Sequence, residues 1–223
     1  MALKITFLGH SAFLLSDGKT AIAIDPFLSG NPVAVTKPEE IEVEYVALTH
    51  GHADHFGDTL EILKRNDATF IGTFEIANYL GAQGIEKLEP GNHGGKIETT
   101  FGSVSFTHAL HSSSYEGAYM GMPCGLVVEM GGKRFYHLGD TGLFSDLKLY
   151  GEIYRPDVAA VPIGDRFTMG GELGARAAEF VGAPVAIPIH YKTFPPLAQD
   201  ASRFKPEGVE VRELAPGESI IVK

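Results

Sequence analysis

Residues 49–55 read Thr-His-Gly-His-Ala-Asp-His, which places His50, His52 and His55 together with Asp54 in one short run. Imidazole and carboxylate are the ligand types of zinc and neighbouring divalent metals. Four such side chains exceed what one catalytic ion with an open coordination position accepts, so the run suggests a site divided between two ions. A polar surface turn is the bland alternative, and the density of donors directly after an apolar stretch argues against it. Further donors stand in the same kind of position: His111 after segment 104–109, Asp140 after 135–138 and His190 after 185–189. Strand ends at one edge of a sheet converge, so distant segments can line one pocket. Two cations held close together lower the pKa of a shared water and polarise a carbonyl or phosphoryl oxygen. The chemistry this suggests is metal-assisted hydrolysis without a side-chain nucleophile. Cys124 precedes a strand with no base beside it in sequence and reads as structural.

The elements that must position these groups follow from hydropathy and turn signals. Segments 5–9, 12–15 and 20–25 read as strands, the last two joined by the hairpin signal Asp17-Gly18. Segment 43–49 is a continuous apolar strand that stops at the histidine run. Leu60, Ile62 and Leu63 predict a helix over 58–65, followed by a strand at 69–72 and a helix at 75–80. Residues 87–97, rich in glycine and proline, are expected to loop, with 91–95 a plain turn and His93 exposed. Strands are expected at 103–108 and 125–130. Gly131-Gly132 then turns into a strand at 134–138 that carries His137, expected to be a packed histidine on the face away from the site. A helix at 144–150, a strand at 158–163, a helix at 171–181 and strands at 185–189, 209–214 and 219–222 complete the pattern. Both halves run strands first, then strand–helix–strand, without a residue-level repeat. The expected class is α+β: a four-layer αβ/βα sandwich, two mixed β-sheets packed face to face with helices outside. Residues 1–223 are expected to form a single domain.

Composition narrows the partners. The chain is 44% hydrophobic and 21% charged, with a formal charge of −10, which disfavours nucleic acid because that affinity rests on Lys and Arg meeting phosphates. One cysteine excludes an intrachain disulfide and suits a reducing compartment. No segment is long and apolar enough for a bilayer and no cleavage pattern is visible, so a cytoplasmic protein with no membrane partner is expected. Assembly into a homo-oligomer is compatible with the sequence. Tyr115, Tyr119, Met120 and Met122, in the glycine-punctuated segment 112–124, are candidates for covering the pocket or for packing against another subunit.

The run His50-x-His52-x-Asp54-His55, with His111, Asp140 in Gly139-Asp140-Thr141-Gly142 and His190 in Pro188-Ile189-His190, resembles the metallo-β-lactamase superfamily from about Gly9 to Tyr191. The resemblance implies His50, His52 and His111 on one ion, Asp54, His55 and His190 on the other, and Asp140 bridging both. His108, three residues before His111, stays open as the alternative third ligand; His111 is preferred because it opens the polar loop Ser112-Ser113-Ser114. Within the superfamily, Leu8-Gly9-His10-Ser11-Ala12-Phe13, Ile24-Asp25-Pro26-Phe27, Pro162-Ile163-Gly164-Asp165 and Phe167-Thr168-Met169-Gly170 look like a group of small metal-dependent hydrolases related to bacterial ascorbate-6-phosphate lactonase. Two divalent ions are implied, zinc first, with manganese or iron(II) as alternatives. The implied reaction is cleavage of an ester, lactone or phosphodiester bond of a small molecule by a metal-bridging hydroxide. Asp54 would be ligand and orienter or proton acceptor for that water. His10 is expected to act in the pocket, on substrate or on a ligand, with Asp165 and Thr168 as further substrate contacts. Asp25 is expected to accept a hydrogen bond from a ligating imidazole. The rival readings are a non-catalytic metal or ligand sensor on the same scaffold and a di-iron redox protein, the latter disfavoured because such members carry glutamate where this chain has His52.

Overall fold

Alternation of side chains along the strands sets the layers. The structure, a computed structural model, describes residues 2–223. Leu3, Ile5 and Phe7 of strand Leu3–Gly9, Phe13 and Leu15 of Ala12–Ser16, and Ile22 and Ile24 of Ala21–Ile24 join one buried cluster. Leu126, Val128 and Met130 of Cys124–Met130, Phe135 of Lys133–His137, and Ile187 and Ile189 of Val185–Ile189 enter the same cluster from the other side. The intervening positions face outward under helices. The helices are α1 (Ala53–Phe56), α2 (Thr59–Asn66), α3 (Phe74–Ala82), α4 (Asp146–Tyr154) and α5 (Gly171–Val181). Ala12, Ala23, Val46 and Phe70 pack with Ile62 and Leu63 of α2 and Ile76 and Leu80 of α3. Val127, Tyr136, Ala159 and Ala186 pack with Leu147 of α4 and Ala177, Ala178 and Val181 of α5. Two sheets therefore lie face to face with helices outside both, the α+β sandwich expected. Full burial of each large apolar side chain stabilises this arrangement by about 1.5–3 kcal/mol.

Each sheet has seven strands. The first runs Ser219–Val222, Leu3–Gly9, Ala12–Ser16, Ala21–Ile24, Tyr45–Ala47, Thr69–Thr73, Leu88–Gly91. The second runs Lys96–Thr99, Gly102–His108, Cys124–Met130, Lys133–His137, Val158–Pro162, Val185–Ile189, Glu210–Val211. In both, the pairings in that order are antiparallel as far as the fourth strand and parallel thereafter. The repeated grammar of the two halves is thus topological. Parallel neighbours have their carboxyl ends on one edge, and the residues following Ile24, Ala47, His137 and Ile189 are drawn together there.

Several elements differ from expectation. Segment 87–97 contains the edge strands Leu88–Gly91, with Pro90 and Gly91, and Lys96–Thr99, with alternately exposed side chains; neither offers a clear apolar pattern. His93, in the turn between them, is half-buried rather than exposed, and its Nε2 lies 2.9 Å from Pro123 O. The strand expected over 43–49 shortens to Tyr45–Ala47, since Val43 and Leu48 pack under α2 and α3 beyond the paired region. The last helix before 158 sits at Asp146–Tyr154, and 209–214 retains only Glu210–Val211 as strand.

Segment 112–124 is anchored rather than loose. Ser114–Tyr115 and Ala118–Tyr119 form a hairpin whose turn residues Glu116 and Gly117 both have positive φ, 49° and 83°, as a tight right-twisted hairpin requires. Tyr115 stacks on Phe56 at 4.2 Å and Met120 is buried against Gly51, whereas Tyr119 and Met122 are exposed. A Cβ on Gly51 would lie 2.4 Å from Met120 Cβ, so this close approach needs glycine. Gly51→Ala is expected to cost about 1–3 kcal/mol through overpacking and to lower the melting temperature. In a Met120→Gly background, which removes both the Cβ and the Cγ that the new methyl would meet, the same substitution should cost less; an equal loss in both backgrounds would place the strain elsewhere.

Candidate metal centre

One carboxylate organises the start of the site. Asp25 follows the strand Ala21–Ile24 and is fully buried with φ 47°, a left-handed conformation that costs energy outside glycine. Its Oδ1 accepts the Thr49 N–H at 2.8 Å, and its Oδ2 accepts the Thr49 hydroxyl at 2.6 Å and His55 Nδ1–H at 2.7 Å. With its proton given to Asp25, Thr49 Oγ1 can accept only from His50 Nδ1–H, 3.0 Å away. His50 therefore presents an unprotonated Nε2 to the interior, and His55 directs its Nε2 there as well. Asp25 thus orients two imidazoles, His55 directly and His50 through the Thr49 hydroxyl.

The one-turn helix α1 starts at His52 and carries Asp54 and His55. His52 places Nδ1 3.0 Å from His50 Nε2 and 3.2 Å from His111 Nε2, while its own Nε2 lies 3.3 Å from Ser112 Oγ. His55 Nε2 lies 3.3 Å from Asp140 Oδ1 without the angle of a hydrogen bond, and both atoms are buried without a hydrogen-bond partner. His190 Nε2 stands 2.9 Å from Asp140 Oδ2 and 3.6 Å from Asp54 Oδ2. Donor atoms thus gather in three sets, each within 4.8 Å: His50, His52 and His111; His50, His55 and Asp140; and His10, Asp54, His55 and His190.

Converging lone pairs and buried unpartnered atoms are what a site for cations requires. Imidazole and carboxylate without thiolate suit zinc, manganese or iron(II). The donors fit divalent metal, with Asp140 lying between histidines of the different sets. Charge distribution agrees. Burial opposes a charge on His190, but Asp140 and Asp54 outweigh it and raise its pKa to about 9. Burial likewise opposes a charge on His55, which Asp140 and Asp25 raise well above the ordinary range. Burial would raise Asp140 too, yet His190 and His55 hold it well below a normal carboxylate. Burial lowers His50, His52 and His111. In the metal-free protein, protons on His55 and His190 stand where metal charge would otherwise balance the carboxylates. Metal must displace them, so metal affinity is expected to rise with pH up to about 9, by about tenfold per pH unit for each proton released. Calorimetric titration in buffers of different ionisation enthalpy would count the protons; a pH-independent affinity between pH 6 and 9 would contradict this balance.

Other expected residues lie elsewhere. His108 is half-exposed beside His93 and Phe144, at 5.2 Å and 5.6 Å between rings, so His111 rather than His108 reaches the cluster. His137 is buried with both nitrogens used locally: Gly139 N–H donates to Nδ1 at 3.0 Å and Nε2 lies 2.9 Å from Ser11 O. Asp165 is exposed in a depression lined by Gly170, Glu172, Ser202 and Arg203 and by none of the clustered histidines. Thr168 Oγ1 is occupied within its own loop by Gly164 N–H and Met169 O. The structure does not bring Asp165 or Thr168 into the cluster. His10 does enter it, with its side chain wholly enclosed against Asp54, Thr193, Phe27 and Phe194. Sequence reasoning passed over Thr49, Ser112 and Thr193 as partners of the histidines. Thr49 and Ser112 adjoin His50 and His111 in sequence, a signal that was available; Thr193 carries none. No helix among the described residues is long and apolar enough to cross a membrane.

The model of the β-lactamase superfamily domain matches residues 4–190. A metal-dependent hydrolase of the UPF0173 group from Geobacillus thermodenitrificans is 49% identical over 226 residues, covering 98% of this chain and 99% of the relative. Another of that group, from Methanopyrus kandleri, is 48% identical over 97% of this chain and 99% of its own. Among solved structures, the metallo hydrolase Igni18 from Ignicoccus hospitalis superposes with a TM-score of 0.90 at 36% identity, covering 100% of this chain and 99% of that one. With a sandwich of two mixed sheets and a buried histidine–aspartate cluster at their common edge, the chain belongs to the metallo-β-lactamase superfamily and is a metal-dependent hydrolase.

Proposed function

We propose that the protein hydrolyses an ester, lactone or phosphodiester bond of a small molecule at a centre of two divalent ions, zinc being the metal that the donors suit first. The observation that carries this reading is the sharing of Asp140 between donors that otherwise fall into two sets. Ions held there would supply a water of lowered pKa and polarise the substrate oxygen. Two candidate nucleophiles of the chain, Cys124 and Ser113, are engaged elsewhere. Cys124 is fully buried, its thiol directed at Thr49 O at 3.1 Å and pushed far above its ordinary pKa by burial. Ser113 Oγ accepts from Gly51 N–H and donates to Met120 O.

The cluster opens where Asp54 and His111 meet solvent, with side chains 31% and 14% exposed, while His10, His50, His55 and Asp140 close it behind. Burial would raise the Asp54 pKa, but the His10 and His190 imidazoles beside it hold it well below the carboxylate range. Asp54 therefore stays ionised, which suits holding and orienting; a proton reaching its carboxylate would pass on to solvent at its exposed edge. The lactone and ester classes rest on the resemblance of the segments around His10, Asp25 and Asp140 to small lactonase-like hydrolases.

The test is elemental mass spectrometry of protein purified without added metal, followed by a panel of lactones, esters and phosphodiesters assayed with wild type and His52→Ala. Two ions per chain and turnover lost in the variant support the reading. A wild type that holds one ion or none after metal is supplied, or hydrolysis that survives complete metal removal, rejects it; two irons would turn attention to redox chemistry.

A further inference from the structure

Three histidines of the cluster follow one rule, whereas His190 leaves its Nδ1 buried without a partner. Each of His50, His52 and His55 turns one ring nitrogen inward and anchors the other on a side-chain oxygen: Thr49 Oγ1 at 3.0 Å, Ser112 Oγ at 3.3 Å and Asp25 Oδ2 at 2.7 Å. Outer partners of this kind fix tautomer and ring orientation in metal-binding imidazoles. His10 obeys the same rule. Its Nδ1 lies 2.8 Å from Thr193 Oγ1, whose hydroxyl donates to Tyr191 O at 3.3 Å and so accepts from the ring. Its Nε2 turns inward, 3.1 Å from Asp54 Oδ2. His137, equally buried in the neighbouring sheet, breaks the rule by spending both nitrogens on backbone groups.

Spacing separates a ligand from a neighbour. Donors about 2.1 Å from a common ion sit roughly 3.0–3.5 Å apart in octahedral or tetrahedral geometry. The other inward pairs of the cluster span 2.9 to 3.6 Å, and the His10–Asp54 pair at 3.1 Å falls among them. An unprotonated Nε2 facing a carboxylate oxygen at that distance is two acceptors in contact, a repulsive arrangement that a cation between them reverses. Backbone geometry concurs. His10 is held at φ 58°, a left-handed conformation that a histidine adopts at a cost, and its carbonyl is pinned by the His190 N–H at 2.8 Å.

We propose that His10 is a direct ligand of the second ion, which is then held by His10, Asp54, His55 and His190 with Asp140 facing both ions. The assignment rests on the two-ion reading and adds an eighth protein donor to the seven that the sequence motifs supply. The donor count makes the two positions unequal, with the His10 side the richer in ligands.

The test uses the full chain, stripped by chelator and reloaded with Co(II), whose visible d–d absorption reports coordination number. His10→Asn is the variant of choice, because asparagine accepts the left-handed backbone but is too short to reach the ion; circular dichroism checks that it folds. The expected result is two Co(II) per chain in wild type, against one tightly held in His10→Asn. The second equivalent should weaken by more than about 100-fold, beyond what loss of an outer partner costs, with a changed absorption band. Thr193→Val should keep both ions and weaken the second by about 10–100-fold. Two Co(II) in His10→Asn with the wild-type spectrum would overturn the assignment and leave the two-ion centre standing; fewer than two in wild type would overturn both. Anomalous scattering from Co(II)-loaded wild-type crystals needs no variant. An ion about 2.1 Å from His10 Nε2 supports the proposal, and the second ion bound out of reach of that nitrogen refutes it.

Discussion

Asp140→Asn is expected to reduce the metal content from two ions per chain to one at most and to take hydrolysis down by well over the ~100-fold that loss of a supporting residue costs. Asp140 is the carboxylate that faces both donor sets, with His55 at 3.3 Å, His190 at 2.9 Å and His111 at 3.6 Å. Asparagine keeps the shape but puts an amide, partly a donor, among atoms that converge as acceptors. The metal-free protein should respond as well. His190 is raised from 6.5 to about 9, so the stability it contributes is fully present below pH 6.5 and is lost as pH rises through 9. Asp140 is its main partner, and breaking a buried charge pair costs about 3–5 kcal/mol. The loss in chelator-treated Asp140→Asn should therefore be large at pH 6 and should shrink above pH 9. Urea unfolding at the two pH values checks it; an equal loss at both would mean that the pairing with His190 is not the source.

The second large effect belongs to a residue that faces no open space. Asp25→Asn should weaken both ions together, by about 10–100-fold each, because one carboxylate orients His55 directly and His50 through the Thr49 hydroxyl. Thr49→Val severs the second arm alone. It should weaken the His50 position by a similar factor while leaving the His55 side close to wild type. Competitive chelator titration resolves the two steps. If Thr49→Val disturbed both positions as much as Asp25→Asn does, the branched network would not be the cause, and general loosening of the strand ends would be.

The metal-competent residues were legible because their chemistry is concentrated and their places repeat. His50, Asp140 and His190 each follow an apolar run that turned out to be a strand end. The two-layer core was legible for the same reason: alternation through segments such as 126–130 divides cleanly between the inner cluster and the helix-covered face. Edge strands hid. Leu88–Gly91 and Lys96–Thr99 have one neighbour each and carry glycine and exposed charge, so composition spoke for loops. The anchors of the imidazoles are a matter of tertiary distance. Thr193 meets His10 across 183 positions of sequence, and nothing in either segment announces it. Asp165 and Thr168 lie outside the cluster, because a loop after a strand can turn toward its own helix as readily as toward the neighbouring mouth.

The centre draws on both sheets: His10, Asp25 and His50 follow strand ends of the first, with His55 on α1 beside them, and His111, Asp140 and His190 follow strand ends of the second. A backbone bond from His190 N–H to His10 O at 2.8 Å ties the same two edges. Ions gripped from both sides would act as a clasp on the sandwich, one that cannot close until each half has formed and docked. Loading is then the last event of folding rather than its trigger, and either half of the chain alone would have only part of a grip. Stripped of metal, the molecule should breathe first along this seam, with amide exchange quickening at residues 10, 25 and 190 well before the inner strands let go.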